Sequence, residues 1–250
     1  MTKIMLLSFS FILCATSFAK DNKKTQNFDI NALTWPTNEY RVDRDEAQKK
    51  PFTALKKLIG GNRRFVEGKS IRPRQDLNVV QQLGSGQSPF AAIVGCSDSR
   101  VPNEIVFDQG LGDLFIVRTA GQVSAAASYG SIEFAVTSLK TKLVVVMGHT
   151  KCGAVAAAVN RPKNVPGHIV TLINEIKPAA EKCKDLPGDH VENTARQNVI
   201  DQVKNLRDLE PILSEMYRKG EILIVGAIYD LQTGKVEFLK ETLVDLPISK

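Results

Sequence analysis

"FAAIVGCSDSRVP", residues 90 to 102, runs an apolar segment straight into a cysteine, an aspartate and an arginine on alternate positions. The continuous apolar run "FAAIVGC" predicts a strand buried on both faces rather than a half-exposed one, which would alternate. A soft metal ligand, a carboxylate and a guanidinium therefore stand at the mouth of a buried strand. Their partners have to come from elsewhere in the chain.

Working outward, "DLFIVR" (113–118) and "KLVVVMGH" (142–149) read as further buried strands, and "AAASYGSIEFAVTSLK" (125–140) and "CGAVAAAV" (152–159) as helices. Apolar strands separated by helices indicate a parallel sheet covered on both faces. Helical stretches follow at "HIVTLINEIKPAAEKC", "NTARQNVIDQVKNL" and "PILSEMYRKG"; then "EILIVGAIYD" turns back through "LQT" into "GKVEFL". That last pair reads as a core strand followed by an edge strand. The predicted class is α/β: a mostly parallel central sheet flanked by helices, with an antiparallel edge strand and an N-terminal helical arm.

Toward the N-terminus, "PFTALKKLIGGNRRFVEG" (51–68) places Phe52, Leu55 and Leu58 at helical spacing, and Gly60 and Gly61 are expected to stop that helix. Residues 20–50 are polar, contain the only Trp, Trp35, and read as an extension that is loose or laid on a partner chain. The first nineteen residues carry Lys3, an apolar stretch from Ile4 to Phe18, and small residues Ser17 and Ala19 before a cut. This is the pattern of a secretory signal peptide, which predicts export, to a periplasm, and a mature chain starting at Lys20. The apolar run is shorter than the ~20 residues that span a bilayer, so no membrane anchor is expected after leader removal. Bulky Leu13 before Cys14 argues against a lipid-modified cysteine. With 250 residues and 43% apolar composition, residues 51–250 are expected to form one domain.

Losing the leader removes only Lys3, so the net charge falls from +6 to +5. The basic stretch "GNRRFVEGKSIRPR" lacks interleaved aromatics and any nucleic-acid-binding motif, and reads as a solvated face; no nucleic-acid partner is expected. "GSGQSP" and "GLGDLF" fail the Gly-x-Gly-x-x-Gly pattern, which leaves no phosphate-binding fingerprint. The mature chain keeps Cys96, Cys152 and Cys183, too few for a disulfide framework.

Ligands of parallel α/β sheets gather at the carboxyl ends of the strands. "GCSDSR" ends one predicted strand and "GHTKCG" another, so Cys96, His149 and Cys152 offer two thiolates and an imidazole from neighbouring strand ends. Cys152 also opens an Ala-rich helix, whose dipole favours the thiolate. This donor set suits zinc, and three protein ligands leave a position for water or substrate, the mark of a catalytic rather than a structural site. Cys183 lies far off on a predicted helix, and His168 and His190 fall in loop-like segments and read as surface residues. Asp98 has two roles open to it: closing the site as fourth ligand, or being held off the metal by Arg100. Paired with Arg100, it stays ionised and able to accept a hydrogen bond from a nucleophilic water.

On these residues the chain resembles the β-class carbonic anhydrases. The likeness runs from "ALKKLIGGNRRF" to "YDLQTGKVEF", and "CSDSR" together with "GHTKCG" carries it. The resemblance implies Zn2+ on Cys96, His149 and Cys152, an Asp98–Arg100 dyad that governs access to the metal, and hydration of carbon dioxide to bicarbonate and a proton. It further implies Gln87 as a hydrogen-bonding partner of substrate, Phe115 and Phe134 as apolar pocket walls, and a homodimer or tetramer in which a neighbouring chain completes the pocket. Phe134 replaces a Tyr common in plant-type members, and Thr119 and Gln122 stand where Asn residues are common. Ile93 occupies the position of a Trp that some bacterial members use in an inhibitory bicarbonate pocket, so an open-site type is expected. Two thiolates leave the zinc centre formally neutral, so water there should ionise at higher pH than the value of about 7 known for three-histidine carbonic anhydrases.

Two rivals share the motifs. One is a carbonyl sulfide or carbon disulfide hydrolase of the same family with a reshaped entry, against which the full dyad and Gln87 argue. The other is a non-catalytic zinc module, closed by Asp98, whose N-terminal extension binds a partner.

Overall fold

The structure, a computed structural model, describes residues 25–29 and 42–247. The expected signal peptide and Trp35 lie outside the described residues. In chain order the elements begin with β1 (Thr25–Gln26), α1 (Arg44–Lys49), α2 (Pro51–Val66), α3 (Leu77–Leu83), β2 (Ala91–Cys96) and α4 (Asn103–Val106). They continue with β3 (Leu114–Thr119), α5 (Ala126–Thr137), β4 (Leu143–His149), α6 (Gly153–Asn160) and α7 (Ile169–Cys183). The last are α8 (His190–Arg207), α9 (Ile212–Arg218), β5 (Leu223–Tyr229), β6 (Val236–Phe238) and β7 (Leu246–Pro247). Among the described residues, no helix is long and apolar enough to cross a membrane.

The central sheet has the order β3-β2-β4-β5-β6, parallel except for antiparallel β6. Successive side chains of a strand point to opposite faces, so a strand buried on both sides must be apolar throughout. Ile93, Val145 and Val225 pack with Leu55 and Leu58 of α2 on one face. Ala92, Val94, Val144, Val146 and Ile224 pack with Ile132 and Val136 of α5 and with Val199 and Val203 of α8 on the other. The β6 strand returns along β5 through the Asp230 turn, in which the carboxylate accepts from the backbone N–H groups of Gln232 and Thr233.

Two N-terminal expectations need correction. Helix α2 does not stop at Gly60 and Gly61 but runs on to Val66. A Cβ at Gly61 would stand 1.8 Å from the carbonyl oxygen of Phe107, so this glycine lets helix and chain touch rather than ending the helix. Asn62, one residue on, locks the contact by donating to the carbonyls of Val106 and Gly234 and accepting from the N–H of Val236. The described parts of residues 20–50 are not loose but pack on the body of their own chain. Strand β1 pairs with β7, Phe28 stacks on Phe52, and Ala47 is fully buried. Arg44 reaches Asp113 and the carbonyls of Ser88 and Gly112, fastening α1 to the loops that enter β2 and β3.

Candidate metal centre and active site

Because β2 and β4 are parallel neighbours, their carboxyl ends emerge side by side. Cys96 closes β2, His149 closes β4, and Cys152 caps the N-terminus of α6 three residues later. Their donor atoms all lie within 4.8 Å of one another, and all three residues are buried. The imidazole is oriented from behind: Nδ1 lies 2.9 Å from the carbonyl of Thr150, which can only accept, so the proton sits on Nδ1. Nε2 is left as a buried lone pair with no hydrogen-bond partner among the described residues. An orphaned imidazole nitrogen facing two thiols is the donor set of a zinc ion, and the residues present fit one.

The thiols are unequal. Shared hydrogen bonding with Cys152, together with the N–H groups of Asp98 and Gly121, pulls Cys96 well below the usual thiol range. The Gly121 N–H lies 3.2 Å from the Cys96 sulfur. Cys152 moves the other way, because Cys96 beside it holds the negative charge and burial disfavours a second one. Without a cation the pair keeps one proton; metal binding releases it.

Asp98 stands at the rim. Its Oδ1 accepts from the backbone N–H and the Nε of Arg100, each at 2.9 Å, and its Oδ2 accepts from Nη2 at 2.8 Å. These bonds hold the carboxyl well below the ordinary carboxylate range despite some burial. The same Oδ2 lies 3.8 Å from His149 Nε2, so the carboxylate faces the space between the metal-ligating atoms.

The remaining candidates lie elsewhere in the chain. Phe115 is paired with Ala92 and Thr119 with Cys96, which puts Phe115 about 13 Å back along the sheet from the cysteine. Phe134, on α5, is 49% exposed, and its ring centroid is 6.4 Å from that of Phe115. Gln87 is exposed in the loop that enters β2, at the end opposite Cys96. Within one chain, then, the ligands and dyad converge on one edge, and the aromatic pair and Gln87 lie toward the other.

Cys183 is buried at the end of α7, its sulfur against the carbonyl of Asn193, and is not part of the trio. His190 is not a bare surface residue: it is half-buried at the start of α8, with Nε2 3.0 Å from the carbonyl of Ala180. Thr119 donates to the carbonyl of Val123, and buried Gln122 leaves its side-chain amide without a partner among the described residues.

Sequence reasoning missed three supports of the site. Arg118 donates to the carbonyls of Cys96 and Asp98, Glu192 accepts from the N–H of Lys151, and Asn198 donates to the carbonyl of Gly121. A charge ending the apolar run "LFIV" was a signal for Arg118. Nothing local marks Glu192 or Asn198.

The fold and donor set define an α/β metalloprotein with its metal centre at the carboxyl edge of a parallel sheet. A protein-family profile described as carbonic anhydrase matches residues 91–236. Carbonic anhydrase 2 of Mycobacterium tuberculosis is 40% identical over 188 residues, covering 74% of this chain and 91% of that protein. The carbonic anhydrase of Mycolicibacterium smegmatis is 39% identical, covering 78% of this chain and 96% of its own length. Among solved structures, a β-carbonic anhydrase of Aspergillus fumigatus superposes with a TM-score of 0.59 at 33% identity, covering 66% of this chain and 81% of that one. A tetrameric β-carbonic anhydrase of Sordaria macrospora gives 0.59 at 27% identity, covering 64% and 85%. This chain belongs to the β-class carbonic anhydrase family.

Proposed function

We propose that this protein catalyses the zinc-dependent, reversible hydration of carbon dioxide to bicarbonate and a proton. The observation that carries the reading is the unpartnered His149 Nε2 facing two thiols beside an arginine-locked carboxylate. Cys96, His149 and Cys152 would hold the zinc, which when bound supplies the Lewis acidity that makes a water nucleophilic near neutral pH.

The protein's own groups then supply orientation. Asp98, kept ionised by Arg100, offers an acceptor oxygen 3.8 Å from His149 Nε2. An acceptor at that place holds the proton of the attacking oxygen and leaves a lone pair for the carbon. Arg100 keeps Asp98 from becoming a fourth ligand, so the site is of the open type. In support, Ile93 is fully buried against the α2 face of the core and offers no hydrogen-bond donor for an inhibitory anion.

Gln87, Phe115 and Phe134 would complete the pocket of a neighbouring copy, as the family resemblance implies; the position of Phe115 four residues back along the sheet from the level of Cys96 supports this. Gln87 would hydrogen-bond the developing bicarbonate oxygen, and the two rings would form the apolar wall that suits an uncharged substrate. The protein is therefore read as a homodimer or tetramer. The leader-like pattern of residues 1–19 supports export to a periplasm; mass spectrometry of material from the native host should find Lys20 first, and an intact Met1 would refute export.

Stopped-flow hydration by the zinc-loaded protein tests the activity, alongside metal analysis of Cys96→Ser and Cys152→Ser. Rapid hydration by the wild type and loss of zinc in both variants are expected. A loaded but inactive wild type would leave a non-catalytic zinc module instead.

A further inference from the structure

The Cys-x-Asp-x-Arg segment leaves the sheet at Cys96, and its last ladder contact is the Ser97 N–H on the carbonyl of Thr119, 3.0 Å. Beyond that point the main chain has no strand beside it. The Arg118 side chain, from β3, takes the strand's place: Nε donates to the carbonyl of Cys96 at 2.9 Å and Nη2 to the carbonyl of Asp98 at 2.7 Å. Among the described residues, the only other group on the Asp98 carbonyl is the Val101 N–H of the same turn, at 3.0 Å.

We propose that Arg118 is a positioning residue for the hydration reaction, setting Asp98 against the metal centre through the main chain. Asp98 is gripped at both ends by arginines. Arg100 holds its carboxylate, and Arg118 holds its carbonyl and that of the zinc-binding Cys96.

The chemistry of the side chain suits the task. A guanidinium is planar and rigid, and its donors diverge, so one group spans two carbonyls and fixes the distance between them. An ammonium is a point charge on a flexible stem and cannot do both with the same geometry. Arg118 is exposed, yet both bonds go to backbone on either side of Ser97, so it is tied to this turn. Without it, the Asp98 peptide is free to rotate and the carboxylate drifts between Arg100 and the metal. A displacement of that kind costs about 10²-fold in rate.

The proposal rests on the carbonic anhydrase reading, and its test separates the two. Arg118→Met and Arg118→Lys are compared with wild type as zinc protein for turnover and as cobalt(II)-substituted protein for the visible spectrum. Zinc content should stay at the wild-type level while kcat falls by about 10²-fold with KM changed far less. The cobalt spectrum should change, because the carboxylate beside the metal has moved. Guanidinium ion at non-denaturing concentration should restore part of the turnover of Arg118→Ala. Should Arg118→Met fail to fold, Arg118→Lys, which keeps the charge and most of the stem, carries the same readouts. A wild-type cobalt spectrum together with kcat within about twofold of wild type would overturn the proposal. An inactive wild type would refute the activity, while the spectra still decide whether Arg118 sets the carboxylate.

Discussion

Arg100 joins the two loops of the metal centre: its Nη2 lies 2.8 Å from Asp98 Oδ2 and 3.3 Å from the carbonyl of Lys151, the residue before Cys152. The guanidinium therefore does two things at once. It holds the Asp98 carboxylate in an ion pair at the rim of the site, and it ties the loop that carries Cys96 to the loop that carries Cys152.

Removing the side chain should separate these roles from metal binding. In Arg100→Ala, Asp98 is free to turn toward the metal and close the site. Hydration should fall by at least about 10²-fold while zinc content stays at the wild-type level, read by metal analysis on the assayed sample. Near-normal turnover would show that the dyad does not govern access.

The same pair sets a pH expectation. The Asp98 carboxyl is held below its unfolded value of about 3.9, chiefly by hydrogen bonds from Arg100. A depressed acid contributes its stabilisation fully above the unfolded pKa and loses it as pH falls through the folded pKa. Asp98 should thus remain ionised from about pH 5 upward, and any activity limb in that range belongs to another group. Carbon-13 NMR of labelled aspartate in the zinc protein should show no Asp98 titration there; a midpoint near neutrality would contradict the ion-pair geometry.

Gly61 offers a test of the fold remote from the chemistry. Its missing Cβ is replaced by the carbonyl oxygen of Phe107, a backbone atom that cannot swing aside. Gly61→Ala should destabilise the protein by about 3 kcal/mol, measured by denaturant unfolding, because α2 must be pushed off the chain around α4. A variant as stable as wild type would mean that the close approach is not maintained.

If the pocket is shared between copies, defects on opposite edges of the sheet should complement. Gln87→Leu and Cys152→Ser should each be weak or inactive alone. Co-expressed, they should recover up to about a quarter of wild-type activity, since half of randomly mixed dimers hold one intact site. No recovery from mixed oligomers confirmed by mass spectrometry would place Gln87 beside its own chain's metal or outside the pocket.

The sequence alone determined the parallel sheet and the metal trio, and each for a local reason. Strands covered on both faces cannot carry polar side chains, so "AAIV", "LVVV" and "LIVGAI" announce themselves without knowledge of their neighbours. Soft donors at the ends of two such strands are brought together by any parallel pairing of those strands, and Asp98 and Arg100 meet because they are two residues apart in one turn. The tertiary structure decided what depends on residues distant along the chain. The run of α2 through Gly60 and Gly61 depends on Phe107, and the seating of α1 on Asp113. Arg118 reaches back to Cys96 across the β2–β3 pairing, and Glu192 reaches Lys151 from a helix that the spacing of neither motif reveals. Composition and periodicity report which face of a segment avoids water. They carry no information about which backbone carbonyl a particular guanidinium, or a missing Cβ, will meet once the segments are packed.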